Sequence, residues 1–252
     1  MNPLYRIEKK RLLSLKRFRF MSAALFIGAI ALTVYTKITF WNDIMFTFRI
    51  QDYMLYVFNT AAGVTVLLGL YRLRFTRNSI EQGEINGVSR RGNVIAKWRA
   101  GISAIIRLYL VMAVLIVALG FVFKAQTTAF QLKAMLVSLV MDMTAAIASF
   151  SVALFFLFLT AFWLLPIVVY AVLMCVYPVF VNRLGVRGYT LFVYTAAKDA
   201  YSGFMLGRID LKFIPVFLIY VAVSIVLSVI VFKFKRKERR RLRELFKKNK
   251  AV

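Results

Sequence analysis

Six apolar stretches, with basic residues at alternate ends, constrain this chain more than any other feature. They cover residues 20–35, 53–70, 102–123, 134–158, 161–181 and 214–232. A bilayer core asks for roughly 20 apolar residues per helix, with about 17 as the lower limit. The first stretch reaches that length when Thr36 to Phe40 join it and Lys37 snorkels outward. With 62% of all residues apolar, the expectation is an all-α membrane protein with six transmembrane helices. The whole of 1–252 then reads as one polytopic domain, with a basic helix over 1–19, a six-helix bundle over 20–232 and a basic tail over 233–252.

The middle of the chain must fold back on itself. From Ala134 to Val181 the only charge in 48 residues is Asp142. As one helix that run would be about 72 Å long, roughly twice what a membrane holds. The turn is expected at Phe158-Leu159 or Thr160-Ala161, ahead of Trp163, whose indole suits an interface. No Gly or Pro marks it.

Basic residues orient the bundle. Seven Lys or Arg lie in the first 19 residues, seven between Arg72 and Arg99, and eleven from Lys233 onward. With six spans these 25 share one side, against nine on the other, and Arg107 lies inside the third span. Positive residues mark the cytoplasmic face, so both termini are expected inside a cell membrane.

Composition removes whole classes of chemistry. A net charge of +25 is distributed as flanks to apolar spans, which fits orientation and anionic membrane lipids as partners and argues against nucleic acid. The absence of histidine removes the commonest general base and zinc ligand. The single Cys175 leaves no internal disulfide. The carboxylates are scattered, and only Glu81 and Glu84 sit close, at i, i+3 spacing. No catalytic, cofactor-binding or metal-binding residues are expected. No GxxxxGK[ST] phosphate loop occurs, so any ATP and Mg would be held by another subunit.

Two segments at the basic side carry pattern. In Asn2 to Phe20, Leu4, Tyr5, Ile7, Leu12, Leu15 and Phe18 share one helical arc, with Arg6, Lys9, Lys10, Lys16 and Arg17 opposite. Glu8, Arg11, Leu13 and Arg19 break that pattern. A basic amphipathic helix before a span is expected to lie in the headgroup plane. The connection from 72 to 99 contains Asn86-Gly87, a turn signal, and Ser89, which can cap a helix beginning at Arg90. Such a short, capped, charged helix would be a rigid lever for a partner.

That connection resembles the cytoplasmic loop of ABC-2-type transporter permeases, in which an E-x-G stretch precedes a small-residue turn, Ser-Arg and a Lys entering the third span. The matching positions are Glu81, Gly83, Asn86, Gly87, Val88, Ser89, Arg90 and Lys97. The Glu-Gly and Gly-Val-Ser-Arg parts stand closer together than in many members. The resemblance implies a coupling helix seated on a separate ABC ATPase subunit, with Glu81, Gly83, Glu84, Gly87, Ser89, Arg90, Arg91 and Lys97 as the partner-coupling residues. It also implies a second permease chain, as homo- or heterodimer. The segment 182–212 is too apolar for a solvated loop and too short to span twice. The same family has a re-entrant helical hairpin there, before the last span.

Within the spans the polar residues are Asn59, Asp142, Arg107 and scattered Ser and Thr. An intramembrane acid is costly, at least ~2.5 kcal/mol, and must face protein or water or be protonated. Asp142 and Asn59 are therefore candidates for a translocation path or for packing. Pro166 and Pro178 are expected to permit kinks in the fifth span. The leading expectation is the membrane subunit of an ATP-driven exporter. The alternatives are a structural, immunity or regulatory membrane protein that docks a partner through basic loops, and an ion-coupled carrier. The paucity of buried polar residues and the lack of an inverted repeat disfavour the carrier.

Overall fold

The computed structural model describes residues 3–39, 48–73, 87, 89–122, 129–160, 162–176 and 213–248. Among them every regular element is helical. The helices are α1 (Pro3–Ser14), α2 (Lys16–Thr39), α3 (Phe48–Leu73), α4 (Arg90–Val122), α5 (Ala129–Leu159), α6 (Leu164–Ala171, continued by a π-helical turn over Val172–Val176) and α7 (Phe213–Lys248). Four helices among the described residues are long and apolar enough to cross a membrane: Lys16–Ile38, Arg91–Val122, Met135–Leu159 and Ile214–Phe234. Val57–Leu73 and Leu164–Met174 are shorter apolar helices. The molecule is thus a helical protein of membrane type. The segment 182–212, expected to hold the re-entrant hairpin, lies outside the described residues, as does Pro178.

Helix α5 is the centre of the bundle. Of its apolar stretch 61% is buried, against 17% for α2 and for α7. The outer faces of α2, α4 and α7 expose residues such as Ile27, Val114 and Ile219, which is how a bundle solvated by lipid tails distributes its apolar surface. In lipid there is little hydrophobic gain from helix association, so close packing of small residues takes over. The buried interior accordingly contains Ala62, Ala104, Ala113, Ala145, Ala146 and Ala153. Gly63 and Gly101 have a sharper role. A Cβ at Gly63 would overlap the phenol of Tyr170, and one at Gly101 would overlap the ring of Phe150. These glycines let α6 close on α3, and α5 on α4. Two turns further along α5, Phe158 meets Phe232 of α7 edge-on, with ring centroids 5.4 Å apart.

Polar side chains in the spans are satisfied locally. Thr33 donates to the Ala29 carbonyl at 2.7 Å and Thr36 to that of Leu32 at 2.6 Å, the i−4 pattern that lets a hydroxyl sit in an apolar helix. That is how α2 extends through Thr36 to Thr39 and reaches spanning length. Between α5 and α6 the turn falls at residues 160–163, with no Gly or Pro. Thr160 supplies it: its backbone N–H and hydroxyl both donate to the Phe156 carbonyl, and the hydroxyl also approaches that of Phe162. Trp163 then stands half exposed at the start of α6. Pro166 is in the first turn of α6, where the backbone N–H has no intrahelical partner anyway. It starts the helix and does not kink it, a correction to the reading from its sequence position.

Two further corrections concern helix ends. The basic amphipathic segment is not one helix to residue 19. It stops at Ser14, whose hydroxyl donates to the Arg11 carbonyl at 2.9 Å, and the chain turns at Leu15 before α2. Arg19 reaches back to the Ser14 carbonyl at 3.1 Å, satisfying an acceptor that the break leaves open. The last helix does not end with its span; it runs on to Lys248, 36 residues in all.

Candidate functional site at the basic end of the bundle

The start of α2, the end of α3, the start of α4 and the start of α6 meet at one end of the bundle. Helix α1 lies across them. Its orientation follows the expected arc: Leu4 and Leu12 are buried, while Arg6 and Lys10 are exposed; on the first turn of α2, Phe18 is buried and Lys16 and Arg17 are exposed. Leu12 packs over Gly69 of α3. Tyr5 lies beside α4, where a hydrogen bond with Ser103 and the nearby Lys9 and Arg107 charges hold its phenol below the usual range.

Glu8 explains its own departure from the pattern. It occupies the centre of the apolar arc and is 1% exposed. Its Oε1 accepts from the Lys97 Nζ at 2.8 Å, and Lys97 is also 1% exposed. The same ammonium donates to the carbonyl of Leu73 at 2.9 Å. Leu73 is the last residue of α3, where carbonyls lack intrahelical partners and the helix dipole is negative. One lysine on α4 therefore binds the buried face of α1 and caps the end of α3. Beside it, Trp98 donates to Ser151 of α5 at 2.8 Å, and Ser151 donates to the Ile147 carbonyl.

Lys97 was expected on a partner-facing surface together with the loop residues. It is instead turned inward, its charge engaged by Glu8 and Leu73. The reason lies three elements away: a carboxylate on α1 creates the buried demand for a cation. The arc pattern does not anticipate this buried pair; its one signal in the sequence is the acid Glu8 in the middle of a largely apolar arc.

The expected turn and cap are present. Gly87 has φ +65°, the left-handed region that glycine enters without cost. Ser89 accepts from the Gly92 N–H at 3.2 Å through its hydroxyl, the contact an N-cap makes with the third residue of its helix. The helix that follows is not a short separate lever. It is the first turn of α4, one unbroken helix of 33 residues, about 50 Å long. Arg91 is exposed on that turn. Glu81, Gly83 and Glu84 lie outside the described residues, as does the side chain of Arg90.

The two intramembrane candidates both face inward. Asp142 on α5 is 5% exposed and Asn59 on α3 is 1% exposed. Neither amide atom of Asn59 has a hydrogen-bond partner among the described residues, an arrangement that costs roughly 1–3 kcal/mol unless water or another chain completes it. Helices α3 and α5 pack on each other, so the two residues belong to the same interior. Among the described residues no cluster of His, Cys, Asp or Glu has the makings of a metal site. No family model, no curated protein and no solved structure matches this chain.

Proposed function

We propose that this chain is the transmembrane permease subunit of an ATP-driven exporter of the ABC-2 type. It would span the membrane six times with both termini in the cytoplasm, coupled through residues 72–99 to a separate ATPase and paired with a second permease chain. The observation that carries this reading is the junction at Gly87 and Ser89. A left-handed glycine and a capped helix start convert a charged connection directly into α4. Force applied there by a partner is delivered to a continuous helix that crosses the bundle. Lys97 sits two turns along and ties the same helix to α1 and α3, so the three would move as one body. Such a rigid unit suits a permease that alternates between two arrangements over its partner. ATP and Mg belong to the partner subunit in this reading, consistent with a sequence that contains no phosphate-binding loop.

Two measurements test it. In the first, Glu84→Ala and Arg90→Ala are compared at matched membrane abundance for ATPase co-purification and export. At a desolvated interface, removing one partner of a charge pair costs ~2–5 kcal/mol of binding, so both readouts should fall while the folded bundle persists. Normal docking and export in the double variant would reduce the connection to solvated, orienting charge. In the second, single cysteines near Gly92 and near Arg187 are labelled from either side of the membrane in a Cys175→Ser background. The six-span arrangement expects opposite sides, and labelling of both sites from one side would overturn it.

A further inference from the structure

A cavity of about 630 Å³ opens at the basic end of the bundle, between the elbow joining α1 to α2, the end of α3 and the residue preceding α6. Its volume is in the ~300–1,000 Å³ range of small-molecule sites. The lining divides into two kinds. Met21 and Leu68 belong to an apolar interior, whereas Lys16, Arg17 and Arg72 bring three cations, and Trp163 brings an indole. Among the described residues no carboxylate lines it. All three cations are exposed, and none makes an ion pair or hydrogen bond among the described residues.

This arrangement is electrostatically incomplete. Lys16 and Arg17 are the first two residues of α2, at the positive end of a helix dipole, where a cation is disfavoured and an anion favoured. Arg72 adds a third positive charge across the cavity. An anion held between them would offset both the mutual repulsion and the dipole. The apolar interior asks for acyl chains attached to that anion. Trp163 suits the boundary between the two, since its ring is apolar and its N–H needs a polar partner. Basic pockets between membrane helices recognise anionic headgroups through this combination.

We propose that the cavity is a specific site for an anionic diacyl phospholipid, its phosphate held by Lys16, Arg17 and Arg72 and its upper acyl chains lying against Met21 and Leu68. The bound lipid would fix the angle between α1 and α2. This site rests on the membrane character of the bundle and is independent of the transport reading.

The test uses the full chain purified in detergent and exposed to equal amounts of phosphatidylglycerol and phosphatidylcholine, with retained lipid counted by native mass spectrometry. Phosphatidylglycerol should be retained preferentially. The triple variant K16Q/R17Q/R72Q should lower that preference roughly a hundredfold, from the worth of three charges near an anionic lipid. An equal charge loss on the last helix, K235Q/R236Q/K237Q, should leave it intact. Met21→Trp keeps every cation but fills the apolar part, and should also displace the lipid. Soluble glycerol phosphate at millimolar concentration should not compete. Equal losses from the tail variant, full retention in the triple variant or in Met21→Trp, or displacement by glycerol phosphate would each overturn the site as a lipid site.

Discussion

Lys97→Met should destabilise the folded bundle by about 3–5 kcal/mol, the cost of leaving one member of a buried ion pair without the other. Glu8 is 1% exposed and has no route to solvent without lifting α1 from α3 and α4. The Leu73 carbonyl loses its donor in the same step. Glu8→Ala should have a comparable effect, because it removes the carboxylate that balances a buried ammonium. The double variant Glu8→Leu with Lys97→Met should recover most of the loss, since replacing both charges by apolar groups of similar volume is often neutral or better. Lys97→Arg should not rescue, because a planar guanidinium does not fit a site shaped for a compact ammonium with two acceptors. Chemical denaturation in detergent, followed by tryptophan fluorescence, measures all four. Under the permease reading proposed above, export by the double variant would then separate two roles for Lys97. Restored stability with restored export makes the residue a fastener of α1. Restored stability without export makes its charge part of coupling. A single Lys97→Met variant of wild-type stability would mean that the pair contributes nothing to the fold.

Gly63→Ala is expected to cost about 1–3 kcal/mol, the usual penalty of forcing extra volume into a packed interior. The added methyl meets the Tyr170 phenol directly, and Tyr170 is fully buried. The phenol, or the helix α6 that carries it, has to shift to admit the methyl. Tyr170→Leu in the Gly63→Ala background should relieve the overlap and restore part of the stability. Gly101→Ala repeats the experiment at Phe150, between α4 and α5. The variants are compared by thermal unfolding in one detergent. Full wild-type stability in both alanine variants would show that the helices do not approach as closely as these positions require.

The local features of this molecule are written in nearest-neighbour chemistry and could be read from the chain. Apolar run length marks the helices of membrane type, because a segment without water must bond its backbone internally. Gly87 and Ser89 announce a turn and a cap through the conformations and side-chain bonds that those residue types favour. The buried arc of α1 is legible in the same way, since its period is that of the helix itself. Thr160 belongs at the edge of this class: its position was bracketed by length alone, and the hydroxyl that makes the turn carries no signal as strong as glycine or proline.

What the tertiary structure decided are the pairings between distant elements. No spacing rule connects Glu8 to Lys97, 89 residues apart. Each looks like an anomaly in its own helix, an acid on an apolar arc and a lysine beside a tryptophan, until the two arcs face each other. The same holds for Gly63 with Tyr170 and for the cations around the elbow cavity, whose convergence depends on where three helix ends stop. A sequence specifies which face of a helix must be covered, because burial depends on its own residue types. It does not specify which neighbour covers that face, because packing is a property of both surfaces and of the loops that bring them together.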